Sequence, residues 1–379
     1  MLNIRIIYIC CLILTFASCK MKDEITCYGG SDSDLVQLLE KEGYTLKFYP
    51  SVSEALQNAP EKSGVLLLSD SYPVKGTSIS QEDESLIEAK SLRVLVEFPQ
   101  RIGTTDSSKS DTLNLERIVV CDSINTELPF MSLLSFNRCI LKETSDSINH
   151  PILVAAKVAG FDKAVYGLKD TETRPVLYYR TPHLLVSTTC ISHFASDRYM
   201  PEQKIKSLYE YIFRWLLSKN TVTFSSWITY ITPSYTPSDV LPENAGYESI
   251  KKGIEWFYNG HFLVNSEWKQ NWVDKYMGDG TMPIGPSIPD QFQNGDGSLG
   301  VLEGHMSEIR YDGSQLYRYW MRADVQGEAS YAFAAAGDLL ENNEYSKVAT
   351  NLIDYSFKEY RDSAVSYTHL RAHETRSNL

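Results

Sequence analysis

The chain has 379 residues, room for two domains, with 43% hydrophobic and 22% charged residues, the balance of an ordinary globular protein. Its formal net charge of −12 repels phosphate backbones and sets nucleic acid aside as a partner. Aromatic residues reach 12%, with 24 Tyr and 6 Trp, which suits stacking on sugar rings as well as ordinary core packing.

Arg5 precedes an apolar run from Ile6 to Phe16, and "FASCK" follows. A charged start, a short apolar run and small residues form an export signal over residues 1–19. The run is too short for a stable spanning helix. The "FASC" stretch resembles a bacterial lipoprotein cleavage box with Cys19 as the lipidated residue. Phe at its first position and Ser before the cysteine are tolerated departures. The resemblance implies export and a lipid anchor at Cys19, in the periplasm or at the outer-membrane surface of a bacterial envelope. Acyl chains contribute ~0.8 kcal/mol per buried CH₂ to such anchoring. The charged run "KMKDE" after Cys19 is a weak sorting signal.

Cys10 and Cys11 fall in the leader, and Cys27, Cys121, Cys139 and Cys190 are spread through the mature chain. No zinc-type spacing joins them, so no metal is expected, and no cofactor motif stands out. One or two disulfides and buried free thiols both fit.

From residue 25 to 220, short apolar runs alternate with amphipathic segments. "ITCYGG", "TLKFYP", "GVLLLSDSYP" and "SLRVLVEFP" read as strands. "SDLVQLLEKEG", starting at Ser31 or Asp32 and ending at Gly43, reads as a helix, as do "SVSEALQNA", capped by Ser51 or Ser53, and "SQEDESLIEAK". This alternation predicts an α/β domain with a parallel, flavodoxin-like sheet, and Val65–Leu68 fits a strand buried on both faces. "PVLYYRT" and "HLLVSTTCISHF" read as a strand pair. "PEQKIKSLYEYIFRWLLSK" is an amphipathic helix with Ile205, Leu208, Ile212, Trp215 and Leu216 on one stripe.

This arrangement, above all its closing segment "LLVSTTCISHFASDRYMPEQKIKSLYEYIFRWLL", resembles the class I glutamine amidotransferase-like fold in a degenerate form. An active member needs a G-x-C-x-G elbow after a strand. Here "RVLVEFP" runs into "QRIGTTDSSKSD" without cysteine, and no His-Pro-Glu follows. Cys190 and His193, three apart on one predicted strand, would point to opposite faces. The domain is therefore expected to be non-catalytic.

Residues 221–244 start strand-like and turn Pro/Ser-rich at Pro233, Pro237 and Pro242, the composition of a linker. From residue 245 to 362 the period becomes helical. "GYESIKKGIEWFYNGHFLV" predicts a helix carrying Ile250, Ile254, Phe257 and Phe262. A long Gly/Pro-rich stretch, 265–317, follows, and "ADVQGEASYAFAAAGDLLEN" and "NEYSKVATNLIDYSFKEYRD" form a helical hairpin. Loops this long are uncommon unless functional or disordered. This one holds aromatics and two Asp-Gly-Ser turns, at Asp296 and Asp312, where glycine permits positive φ. EF-hand spacing is absent.

Acids, arginines and aromatics concentrate between Asp296 and Ala332. Asp324 and Glu328, four apart, share a helix face near its start. The helix dipole alone favours carboxylates there, but two carboxylates flanking a bond are also what glycoside hydrolysis needs. Glu303, beside Gly304, is the third catalytic candidate. Arg310, Arg318 and Arg322 suit bidentate pairing with a substrate carboxylate such as a uronate, or with the neighbouring acids. Trp320 and Tyr311 offer stacking faces, and His305 a hydrogen-bonding ring. His261 reads as structural.

"GIEWFYNGHFLV", "DGSLGVLEGHMSEIRYDGSQLYRYWMRADVQGEASYAFA" and the hairpin resemble the opening of a six-hairpin glycosidase-like domain, an (α/α)₆ toroid of bacterial polysaccharide-degrading systems. A full toroid needs on the order of 350 residues, so a truncated all-α domain is expected. "SYTHLRAHET", Ser366 to Thr375, resembles translated sequencing adaptor, so residues 363–379 are expected to be artefactual, along with His369 and His373. The resemblance implies a glycoside-hydrolase-like lipoprotein with a carbohydrate substrate, inactive as this fragment. The alternative is a non-catalytic surface glycan-binding or scaffold lipoprotein.

Overall fold

Among the described residues, nine strands share one sheet in the first of two units, residues 1–230 and 231–379. The computed structural model describes residues 23–107, 109–144, 148–198, 202–230, 234–235, 238–277 and 283–360. The segment read as an export signal, Cys19 with it, and the 363–379 tail lie outside them.

The strands are β1 (Glu24–Tyr28), β2 (Thr45–Phe48), β3 (Gly64–Leu67), β4 (Arg93–Glu97), β5 (Arg117–Val120), β6 (Leu133–Leu134), β7 (Leu153–Ala156), β8 (Thr173–Thr181) and β9 (Leu184–Ser187). Their order is β6-β5-β7-β8-β9-β4-β3-β1-β2. From β9 to β2 neighbours run parallel, and from β9 to β6 they run antiparallel. The sheet is mixed, which corrects the parallel sheet expected from the sequence. The physical reason is in the connections. Parallel neighbours need a long crossover, usually a helix. Among the described residues no α-helix lies between Ala89 and Glu202, and only Pro182 and His183 join β8 to β9.

Three helices connect the strands of the parallel half. Ser33 caps α1 (Asp34–Lys41), its Oγ accepting the Val36 N–H at 3.3 Å. Ser51 caps α2 (Val52–Asn58). Ser80 and Asp83 form a reciprocal capping box at α3 (Gln81–Ala89), satisfying donors that the first turn leaves orphaned. Val65, Leu66, Leu67 and Leu68 are fully buried, as a strand covered on both faces requires. Helix α4 (Glu202–Leu216) buries Ile205, Leu208, Ile212 and Leu216, while Trp215 stays half-buried against Tyr179, with ring centroids 5.3 Å apart. Beyond it, Phe224 and Trp227 are buried beside Phe213 and Tyr209. The start of the segment read as a linker therefore belongs to this unit's core.

The second unit opens with α5 (Ala245–Asn259). The sequence pattern carried this helix through Val264, but His261 takes φ +54° and the chain leaves the helix. Phe262, Leu263 and Val264 are buried in an extended run instead. Val264 N–H donates to Gly300 O at 3.0 Å and Leu302 N–H to Phe262 O at 2.9 Å, and tertiary pairing overrides the helical period. The stretch read as one long loop holds short helices at Ser266–Lys269 and Val273–Met277 and three strands, β10 (Ile284–Gly285), β11 (Gly304–His305) and β12 (Tyr317–Arg318), ordered β10-β12-β11. The helical hairpin follows as α6 (Ala323–Leu339) and α7 (Asn343–Tyr360). Trp268, Tyr319, Phe333 and Leu352 are fully buried at the centre of this unit.

Candidate functional site

Between α5 and α6 lies a groove of ≈ 740 Å³, and the three carboxylates singled out in the sequence, Glu303, Asp324 and Glu328, all line it, with Arg322. Arg322 is the residue before α6, in extended conformation. Asp324 and Glu328 follow one helical turn apart on the same face. Glu303 arrives from the other side, at the entry to β11, its N–H donating to Trp320 O at 2.9 Å.

Ion pairing dominates the mouth. Arg322 Nε donates to Asp324 Oδ1 at 3.1 Å, and Nη2 contacts Oδ2. The hydrogen bond from Arg322 holds the Asp324 carboxyl below the usual aspartate range. Nη1 of Arg322 and Nη1 of Arg318 each lie 3.7 Å from Glu303 Oε1. Glu303 Oε2 is buried and has no hydrogen-bond partner among the described residues. A buried acceptor left unpaired costs about 1–3 kcal/mol, so this oxygen is where a substrate hydroxyl or water would gain most.

The body of the groove is apolar. Gly253 and Ile254 of α5 and Ala329, Ala332 and Ala336 of α6 line it. Small side chains there let a ligand approach the helix backbones closely.

Gln326 escaped the sequence reading. It is fully buried, accepts the Val301 N–H at 2.8 Å and donates to the Val301 carbonyl at 2.7 Å. It thereby ties the strand that carries Glu303 to the helix that carries Asp324. Its position on the same helical stripe as Ala329, Ser330 and Phe333, all buried, was the available signal.

The remaining candidates sit outside the groove's lining. Arg318 stacks over Trp320, Cζ 5.6 Å from the ring centroid, so both flank Glu303. Arg310 and Tyr311 belong to the turn closed by Arg310 N–H to Ser314 O at 2.9 Å. That turn carries the Asp312 loop, where Oδ1 accepts the Ser314 N–H and Oγ–H at 3.0 and 2.6 Å. His305 packs among Trp256, Phe262 and Tyr317, at 5.7, 5.0 and 4.5 Å between centroids. Burial lowers its pKa. His261 bonds the Phe292 carbonyl at 2.7 Å.

In the first unit, the C-terminal end of β4 presents Glu97 and Phe98. Phe98 takes φ +46° with its ring fully buried. A sharp, strained strand end is the geometry that displays a nucleophile in some hydrolases, but here it holds a phenyl ring. Cys190 and His193 do not share a strand, because β9 stops at Ser187 and Ile191–Phe194 forms a 3₁₀ turn. This corrects the alternating-face argument. The Cys190 thiol is buried and pushed well above its ordinary pKa by desolvation, which makes it unreactive. Cys27, Cys121, Cys139 and Cys190 are all free.

Among the described residues, no group of three or more His, Cys, Asp or Glu side chains is placed to hold a metal ion. No helix among them is long and apolar enough to cross a membrane. The chain matches no protein-family model, no curated protein and no solved structure.

Proposed function

We propose that this chain is part of an exported, lipid-anchored, glycoside-hydrolase-like protein that acts on a polysaccharide or oligosaccharide. The observation that carries the reading is the convergence of Glu303, Asp324 and Glu328 on one groove. Glycosidic bond cleavage takes two carboxyl groups, one ionised and one donating a proton. Asp324, held ionised by Arg322, suits the nucleophile or base. Glu328 would then protonate the leaving oxygen, since Glu303 is ion-paired with Arg318 and Arg322. Helices α5 to α7 are on this view the opening of an (α/α)₆ toroid, and residues 23–360 alone turn nothing over. Tyr331 and Phe357, exposed on α6 and α7, are the kind of surface that further hairpins would cover.

Each of Arg318 and Arg322 already faces an acid. A neutral sugar therefore fits the mouth better than a uronate, which would have to displace those partners.

The second reading is a surface glycan-binding or scaffold lipoprotein without turnover. The ion pairs that already engage Glu303 and Asp324 at the mouth favour it, because paired carboxylates can hold sugar hydroxyls without cleaving a bond. The intact protein, assayed on a panel of plant and host glycans, separates the two. Asp324→Asn, Glu328→Gln and Glu303→Gln should keep binding, and the catalytic pair should lose release by about 100- to 10,000-fold. Well-folded protein that binds glycan but never releases sugar would leave the scaffold reading. Protein that neither binds nor releases any glycan would sink both.

A further inference from the structure

The connection from β7 to β8 is a built projection with an apolar tip. Phe161, Val165 and Tyr166 are 88%, 67% and 85% exposed. Burying such side chains is the dominant favourable term in folding, so three of them on one loop call for an explanation. The loop is not loosely attached. Val165 N–H donates to Ala159 O at 3.0 Å and closes its neck. Ala164 N–H donates to Met131 O at 2.9 Å, and Leu133 N–H donates to Asp162 O at 3.0 Å. Lys163 bridges Ser132 in antiparallel fashion. Ala164 itself is buried in a small core with Val119, Leu133 and Val154. The backbone is fixed while the apolar side chains stand in solvent.

The connection carries three lysines and three acids in a chain that is otherwise acidic, and two of those acids follow all three lysines in sequence. The whole chain carries −12, yet between Lys157 and Lys169 the charged residues are Lys157, Lys163, Lys169 and one acid, Asp162. The three lysines are exposed. Asp162 is matched by Lys204, whose Nζ lies 3.7 Å from its carboxylate and donates to its carbonyl at 2.9 Å. The next acids, Asp170 and Glu172, come after the loop on the approach to β8.

We propose that the 157–169 loop is a membrane-contact element that inserts Phe161, Val165 and Tyr166 at the interface of an anionic bilayer while Lys157, Lys163 and Lys169 meet lipid phosphates. An apolar tip with lysines on either side of it in sequence matches the layering of a bilayer surface, where apolar groups enter the acyl boundary and ammonium groups stay at the headgroups. Basic residues are drawn to anionic lipid within a Debye length. A sugar-stacking surface is the poorer fit, because Phe161 and Val165 offer no polar edge to hydroxyl groups. The inference stands on the first unit alone and needs neither the groove nor the lipid at Cys19.

Lysine acylation followed by mass spectrometry reads the contact residue by residue in the full chain. On vesicles of phosphatidylethanolamine with phosphatidylglycerol, acylation of Lys157, Lys163 and Lys169 should slow by about ten-fold, while Lys41 and Lys62 change less. Phe161→Ser combined with Tyr166→Ser, two exposed sites whose replacement spares the core, should abolish that protection. Protection that is equal on neutral phosphatidylcholine vesicles, or uniform over all these lysines, would overturn the proposal. So would protection of the loop by a soluble polysaccharide without vesicles, which would make it a glycan contact.

Discussion

Gln326 satisfies both backbone groups of Val301 with one side-chain amide, accepting the N–H at 2.8 Å and donating to the carbonyl at 2.7 Å, both buried. The pairing imitates one rung of a β-ladder, with a helix side chain as the second strand. It fixes Glu303, two residues on, relative to Asp324, two residues before Gln326. Gln326→Leu keeps the volume but strands a donor and an acceptor, each costing about 1–3 kcal/mol. The expected loss is ~2–5 kcal/mol in urea unfolding of the second unit. A loss under ~1 kcal/mol would show that water replaces the amide and that the contact fixes nothing.

The same residues show what a sequence can and cannot reveal. Asp324, Glu328 and Glu303 were legible as groove-lining acids because they cluster with arginines and aromatics in one stretch, although the helix dipole alone would also favour Asp324 and Glu328. Gln326 was hidden because its role depends on Val301, brought next to it only by the fold. The αα-hairpin was legible from its period, and the parallel half of the sheet from alternating strands and helices. The antiparallel half was not, since strand direction depends on crossovers that lie between the elements. The helix read through Val264 stopped at Asn259 because pairing of Phe262–Val264 with Gly300–Leu302 outweighs local periodicity.

Arg322 and Asp324 define a charge state that can be moved. The hydrogen bond from Arg322 depresses the Asp324 pKa. A depressed acid stabilises the fold above its unfolded value, about 3.9, and that contribution is lost as pH falls through the folded value. Both side chains are about half exposed, at 49% and 48%, so the contribution to stability is under ~1 kcal/mol. Arg322→Gln should therefore barely change unfolding but should raise the Asp324 titration midpoint in carboxyl-detected NMR. An unmoved midpoint would show that the pair does not exist in solution. In the intact protein the acid limb of any turnover should rise with it.

Phe98 predicts an inverted order of substitutions. Its ring is buried edge-on against Tyr72, at 4.7 Å, and beneath Lys142 Nζ, at 4.9 Å. Its backbone is held at φ +46° by bonds from its N–H to Ser187 O and from Thr77 N–H to its own carbonyl. Removing the ring costs ~3–5 kcal/mol for Ala and Gly alike. Positive φ costs a residue with a Cβ ~1–2 kcal/mol, against ~0.5–1 kcal/mol for the greater chain entropy glycine loses on folding. Phe98→Gly should thus unfold at higher urea than Phe98→Ala, the reverse of an ordinary strand position. Alanine being the more stable would mean the strand end is not strained in solution.

Glu97 gives the first unit a pH dependence of opposite sign to that of Asp324. Its carboxyl is fully buried. It accepts from Ser69 N–H and Ser192 N–H, both at 2.9 Å, from Ser192 Oγ–H at 2.8 Å and from the Cys190 thiol at 3.4 Å. Burial nevertheless raises its pKa, which these donors only partly offset. A raised acid keeps its proton in the folded state at a pH where the unfolded chain has released it. Stability therefore falls as pH rises from the unfolded value, about 4.3, to the folded one, and is constant above that. Glu97→Gln has no such proton to lose, though its amide turns a donor toward a donor and costs about 1–3 kcal/mol at low pH. Urea midpoints at a series of pH values should show the variant closing the gap on the parent as pH rises. A gap that is constant with pH would mean that Glu97 titrates alike in both states, and that the serine and cysteine donors fully offset its burial.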